Sequence, residues 1–253
     1  MSDYFSRLFQ DNYKPKYGKG AFTLGRRVLF KSGVLDALER IPNDGTKEII
    51  EKIVSDFEKD RIKSTVVIGS GSGKMGSNLR YHYKDTKIYD IDKEPAVIDR
   101  LKRKCSKDSL RLPLLADAQS LPFKDGSFDL VVAYSVLRYI KNTNLVIKEI
   151  YRILKKGGVA VVVEARIKKV IDSVEDFLKN KEISFKRYTQ NKVSFTRVSF
   201  FYYLISESGK NSFLRRKIEE KRKILNCSFA EAAVQCAGSY YGSLYFILFE
   251  KDK

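Results

Sequence analysis

At 253 residues and 43% hydrophobic content, the chain is long enough to bury a core and too apolar to be mainly disordered. Its 49 Lys and Arg stand against 31 Asp and Glu, a formal net charge of +18 that favours polyanionic partners and says nothing of fold. Cys105, Cys227 and Cys236 have neither metal-ligand nor disulfide-framework spacing, His82 is the single histidine, and no apolar run has membrane-spanning length, so a zinc site, a disulfide scaffold and a membrane span are all disfavoured and a cytoplasmic protein is expected.

Residues 1–45 mix bases with aromatics (Tyr13, Lys14, Lys16, Tyr17, Lys19, Phe22, Arg26, Arg27), and Gly18, Gly20 and Gly25 interrupt any long helix. They form an N-terminal extension, read either as a lid offering stacking faces and cations or as a cap on the core. Pro42-Asn-Asp-Gly45 is a turn. Thr46 then caps a predicted helix bearing Ile49, Ile50, Ile53, Val54 and Phe57, with which the main domain (46–253) begins.

The most informative stretch follows. Thr65 to Ile68 is a β-branched run of the kind buried in parallel sheets, and Gly69, Gly71 and Gly73 come next at alternate positions. A helical pattern (Met75, Leu79, Tyr83) then begins. Strand, glycine loop and helix together present main-chain N–H groups to a ligand. A phosphate-binding P-loop is excluded, because Lys74 is followed by Met75 and the glycine spacing is wrong. A dinucleotide fingerprint can be drawn through Gly71-Ser-Gly73-Lys-Met-Gly76, but such a pattern also arises by chance in glycine-rich turns.

Downstream, Lys87 to Ile91 is a second strand ending in Asp90-Ile-Asp92, and Pro95 opens a helix with Val97, Ile98 and Leu101 on one face. Leu114-Leu-Ala-Asp117-Ala118, Leu121-Pro122-Phe123, Gly126-Ser-Phe-Asp129-Leu-Val-Val and Ile150-Tyr-Arg-Ile-Leu-Lys-Lys-Gly-Gly158 follow in order. In order and spacing, Val66 to Glu164 resembles the class I S-adenosylmethionine-dependent methyltransferases, and more narrowly their type 11 group, which includes quinone-biosynthesis and some tRNA-modifying enzymes.

The resemblance implies a single doubly wound α/β domain with a mostly parallel seven-stranded sheet and an antiparallel last strand. It implies S-adenosylmethionine as cofactor, with Gly69, Ser70, Gly71 and Gly73 against its methionine part. The ribose hydroxyls fall to Asp92 when the second strand is aligned on Pro95, with Asp90 as the alternative. Asp117 and Ala118 would take the adenine, and Ser135 would join the cofactor site. Family members usually carry an acid two residues before the first glycine; here that residue is Val67, which keeps open a protein that binds cofactor without turnover, or a scaffold.

The fourth strand leads to Tyr134-Ser135-Val-Leu-Arg138-Tyr139, with no Asn-Pro-Pro-Tyr or Pro-Cys that would signal amino or covalent cytosine methylation of bases. Strand ends in open α/β sheets face ligands, so Tyr134, Arg138 and Glu164 are candidate acceptor contacts. Beyond Arg166 the pattern loosens. A helix is predicted over Val170–Leu178, a strand region over Val193–Ile205, and a last strand over Ser243–Phe249. A helical insert at about 208–238 contains Arg215-Arg-Lys-Ile-Glu-Glu-Lys-Arg-Lys-Ile. The expected activity is methyl transfer to RNA or to a small anionic metabolite. A nicotinamide oxidoreductase would share the glycine loop but leaves the Asp117-Ala and Leu121-Pro-Phe motifs without a role.

Overall fold

The short apolar runs become strands because each is too brief for a helix and buries both its faces. In the computed structural model the described residues are 61–165, 168–196, 212–226 and 239–252, with Ile49, Lys52, Ile53 and Ala232 besides. The N-terminal extension and residues 197–211 lie outside them.

The strands are β1 (Ser64–Ile68), β2 (Lys87–Asp92), β3 (Arg111–Leu115), β4 (Phe128–Tyr134), β5 (Leu154–Ala165), β6 (Phe185–Thr196) and β7 (Ser239–Glu250). They form one seven-stranded sheet in the order β3-β2-β1-β4-β5-β7-β6. Strands β1 to β5 pair in parallel, and β7 runs antiparallel to both β5 and β6. This is the doubly wound, mostly parallel architecture expected from the resemblance, with its antiparallel last strand. Strand order reverses between β1 and β4, so the loops that leave those two strands part and open a crevice at the carboxyl edge of the sheet.

Helices α1 (Lys74–His82), α2 (Pro95–Lys104), α3 (Thr143–Ile153), α4 (Lys168–Asn180) and α5 (Ser212–Leu225), with a short 3-10 helix at Leu137–Tyr139, complete the described elements. Pro95 occupies the first turn of α2, and the Asn142 side chain caps α3 by accepting from the Leu145 N–H at 3.3 Å. On one sheet face Val146, Ile147, Ile150 and Ile153 of α3 and Ile171, Val174 and Leu178 of α4 pack on Val66, Val131, Ala160 and Val162. On the other, Ile49, Ile53, Met75 and Leu79 cover Val67, Ile88, Val132 and Val161. Among the described residues no helix is long and apolar enough to cross a membrane.

Strand β6 begins at Phe185, eight residues before the predicted Val193. Lys186 and Arg187 disguise its start, but Arg187 is neutralised by Asp172 and Glu175 of α4, which lets a basic residue sit in the strand.

The amino edge is tied by one side chain. Asp129, which opens β4, accepts at Oδ2 from the Lys63 N–H (3.1 Å), the Ser64 N–H (2.9 Å) and the Ser64 hydroxyl (2.8 Å), and at Oδ1 from Lys155 Nζ (2.8 Å). It thereby fastens β1, β4 and β5 together. A cavity of about 440 Å³ lined by Arg61, Asp129, Lys156, Gly157 and Gly158 opens at this edge, far from the glycine loop. Partial burial would raise the Asp129 carboxyl, but the hydrogen bonds from Lys155, Ser64 and Lys63 win and hold it below its ordinary value.

Asp129→Ala is therefore expected to cost about 2–3 kcal/mol in urea denaturation at neutral pH. A carboxylate whose pKa is depressed by folding contributes its stability in full above its unfolded pKa and loses it as pH falls through the folded one. The gap between wild type and variant should thus be constant above the ordinary carboxylate range and close as pH falls below it; a gap that persists undiminished at low pH would contradict the charge-based account.

Candidate functional site

The glycine loop is shaped first by its own turn. The N–H groups of Gly69 and Ser70 both donate to the Ile91 carbonyl at the end of β2, at 2.8 and 2.9 Å. Gly69 sits at φ +71°, and a Cβ there would come within 2.4 Å of Val136 Cγ2. Gly71, at φ +49°, has only the Gly69 carbonyl oxygen within 4 Å of where a Cβ would stand, at 3.9 Å. The space in front of Gly71 is thus open, whereas Gly69 is demanded by the protein's own packing.

Asp92 closes the loop from the other side. Its Oδ2 accepts from the Gly71 N–H at 3.1 Å and its Oδ1 from the Glu94 N–H at 3.0 Å. Each carboxylate oxygen therefore keeps a lone pair for a second donor, and the side chain is half-buried at the carboxyl edge. Asp90, the alternative ribose residue, stands elsewhere: it is 0% exposed and paired with Arg111 at 2.5 Å, so no ligand at the edge reaches it. Ser70 is also turned inward, with its hydroxyl donating to the Val67 carbonyl at 3.1 Å.

Asp117 and Ala118 follow β3. Asp117 is exposed and accepts from the Gln119 N–H at 2.8 Å, while Ala118 is buried. This loop is anchored from α3: the Leu121 N–H donates to Glu149 Oε2 (2.8 Å), and Arg152 donates to the carbonyls of Leu121 (3.0 Å) and Phe123 (2.7 Å). Phe123 packs edge-on against Phe128 and Tyr89. The Leu121-Pro-Phe motif is thus a structural clasp that fixes the loop ahead of it.

At the ends of β4 and β5 three expected residues meet. Ser135 is left-handed at φ +52°, and its N–H donates to the Val163 carbonyl. Glu164 is 0% exposed; its Oε1 accepts from the Leu137 N–H (2.9 Å) and its Oε2 from Arg138 Nε (2.8 Å), while Arg138 Nη2 donates to the Ser135 hydroxyl (3.2 Å). Burial pushes the Glu164 carboxyl upward, and the Arg138 guanidinium and its hydrogen bonds oppose this. Tyr134 is half-buried beside them, against the core. Glu164 is consequently a support for Arg138 and the β4 turn rather than a free base.

Residues 66–162 match the family described as methyltransferase domain, type 11. That stretch of the chain is similar to methyltransferase domains. The ubiquinone/menaquinone biosynthesis C-methyltransferase UbiE of Neisseria meningitidis is 32% identical to it over 113 residues, which are 44% of this chain and 46% of that one. The chain spans less than half the length of the curated relatives it matches. Among solved structures, phosphoethanolamine N-methyltransferase 2 of Haemonchus contortus, in a complex with S-adenosylhomocysteine, superposes with a TM-score of 0.62 at 16% identity, covering 90% of this chain and 59% of that one. The [4+2]-cyclase SpnF superposes with a TM-score of 0.57 at 15% identity, covering 91% and 96%. These two likenesses concern the fold alone.

Two residues that shape the glycine loop are not evident in the sequence motifs: Arg100 and Arg111. One signal was present, since Asp90 and Arg111 are charged residues inside two adjacent apolar strands, and charges buried there demand partners.

For the β4–β5 corner, Arg138→Met is expected to destabilise the fold by about 3–5 kcal/mol, because it strands the Glu164 charge in the interior. Adding Glu164→Leu should restore most of that loss in chemical denaturation. A double variant no more stable than the single one would show that the pair has a role in folding beyond mutual neutralisation.

Proposed function

We propose that the protein is an S-adenosylmethionine-dependent methyltransferase acting on an anionic acceptor. The observation that carries this is Asp92, locked to the Gly71 N–H at the strand-order reversal with one lone pair free on each oxygen. That is the acceptor pair a ribose cis-diol needs. The open space in front of Gly71 admits a ligand's close approach, and the clasp on Leu121 and Phe123 steadies the loop that carries Asp117 and Ala118, which this reading assigns to the adenine. When bound, the cofactor supplies a methyl group on a sulfonium, which passes to the acceptor by in-line displacement as the bond to sulfur breaks.

The chain's own part is to position and to exclude water. The buried Glu164 fixes Arg138 beside the turn after β4, on the side this reading gives to the acceptor. An already nucleophilic acceptor held in line needs no histidine or cysteine base, in keeping with the residues found here.

The anionic acceptor is supported by the +18 charge and by topology. Strand β6 runs parallel to β5, so the segment joining β6 to β7 leaves and re-enters at the carboxyl edge. That segment includes α5, where six basic residues face two glutamates. The β6–β7 pair also continues past the last β5 partner, from Leu244 to Ser239, on the order of 16 Å. RNA and a small anionic metabolite differ in how many phosphates they offer to such a surface. The valine at position 67 keeps one second reading, cofactor binding without methyl transfer.

Isothermal titration with S-adenosylhomocysteine tests the core of the proposal: wild type should bind, and Asp92→Ala should bind at least about tenfold more weakly. Absence of binding at millimolar ligand would remove the enzyme reading. If the acceptor is structured RNA, its binding should weaken with salt at a log–log slope of roughly −0.7 to −0.9 per neutralised phosphate. Replacing Arg215, Arg216, Lys221 and Arg222 by Gln should flatten that slope and leave cofactor binding intact. A slope untouched by the four changes favours the small metabolite.

A further inference from the structure

The first strand carries no acid: Val67 is 2% exposed and lies in the apolar core. We infer that the buried Asp90–Arg111 pair serves in its place, as a positioning device that sets the main chain of the glycine loop for cofactor binding. The inference rests on the cofactor reading above and extends it to residues outside the cofactor's reach.

Register comes first. Val67 and Asp90 are directly paired neighbours in the parallel β1–β2 ladder, and side chains of paired residues share a sheet face. A carboxylate is thus present at the level of position 67 and on the same face, one strand over. Arg111, at the start of β3, reaches it with Nε at 2.9 Å and Nη2 at 2.5 Å from Oδ2.

The rest of the guanidinium is directed at the loop. Arg111 Nη2 donates to the Gly73 carbonyl at 3.2 Å, and Nη1 donates to the Ser77 hydroxyl in the first turn of α1 at 2.8 Å. One residue earlier, the Ser72 carbonyl accepts from Nη1 of the buried Arg100 of α2 at 2.8 Å. Two successive loop carbonyls are therefore held by arginines from beneath. In a trans peptide the carbonyl and the following N–H point opposite ways. Holding the Gly73 carbonyl on Arg111 and on the Ser77 N–H (3.0 Å) accordingly turns the Lys74 N–H to the opposite side of that peptide.

Gly76 admits the device. A Cβ at Gly76 would stand 2.3 Å from Asp90 Oδ1 and 2.8 Å from Arg111 Nη2. A pair serving stability alone would turn its donors on the buried carboxylate, since burying charge is costly. Here Arg111 directs only two of its N–H groups to Asp90 Oδ2 and reaches the loop and α1 as well. The geometry favours loop placement over local stability.

Two variants separate positioning from folding. Arg111→Lys keeps a cation for Asp90 but cannot reach the Gly73 carbonyl and Ser77 together. Asp90→Ala/Arg111→Met removes both charges and leaves no buried ion unpaired. For each, the thermal midpoint, S-adenosylhomocysteine affinity by titration, and hydrogen exchange over Gly69–Gly76 in ligand-free protein are measured. The expected result is a midpoint close to wild type, affinity lowered about tenfold, and faster exchange confined to the loop. Wild-type affinity and exchange in a folded variant would overturn the inference. If the double variant does not fold, Arg111→Lys decides alone. Failure of wild type itself to bind would instead overturn the cofactor reading, while loop exchange would still report on the positioning role.

Discussion

The Ile91 carbonyl accepts from two successive N–H groups, those of Gly69 and Ser70, and the geometry of the carboxyl edge depends on that shared bond. It stops β1, turns the chain back over β2 and brings the Gly71 N–H to Asp92. The turn requires a left-handed residue at Gly69 and tolerates no Cβ there because Val136 lies against it. Val136 belongs to the turn after β4, so the two diverging loops at the strand-order reversal are packed on one another. The crevice between them is thus a consequence of sheet order, and its dimensions are set by a single hydrogen-bonded corner.

Much of this was legible in the residues. The β-branched run before three alternating glycines located β1 and its loop, and Pro95 set the register that distinguishes Asp92 from Asp90. The motifs were less transparent about their duties. Leu121-Pro-Phe and Asp129 resembled markers of a cofactor domain, yet the first is a clasp held by Glu149 and Arg152, and the second ties three strands at the opposite edge. A one-dimensional pattern records which residue types recur at a spacing, and gives no indication of which side of a sheet edge they serve.

The start of β6 was hidden for a different reason. Lys186 and Arg187 break the apolar alternation that signals a strand, and the acids that neutralise Arg187 lie in α4, 12 and 15 positions earlier in the chain. The same holds for Arg111, whose partner Asp90 lies twenty-one positions away. Charges inside strands become intelligible only when strand order is known. The glycines show the converse: all three were visible, but only packing separates Gly71, which faces open space, from Gly69 and Gly73, which face Val136 and Leu101.

The Asp129 tie confers a further property. A side-chain tie between the central strands stands at one rim of the sheet and the proposed ligand site at the other, with the buried length of β1 and β4 between them. Sequence drift at the two rims is then subject to separate pressures. The crevice loops can diverge while the far rim keeps the central strands tied, and a laboratory selection for heat tolerance can work on Asp129 and its neighbours without disturbing the glycine loop.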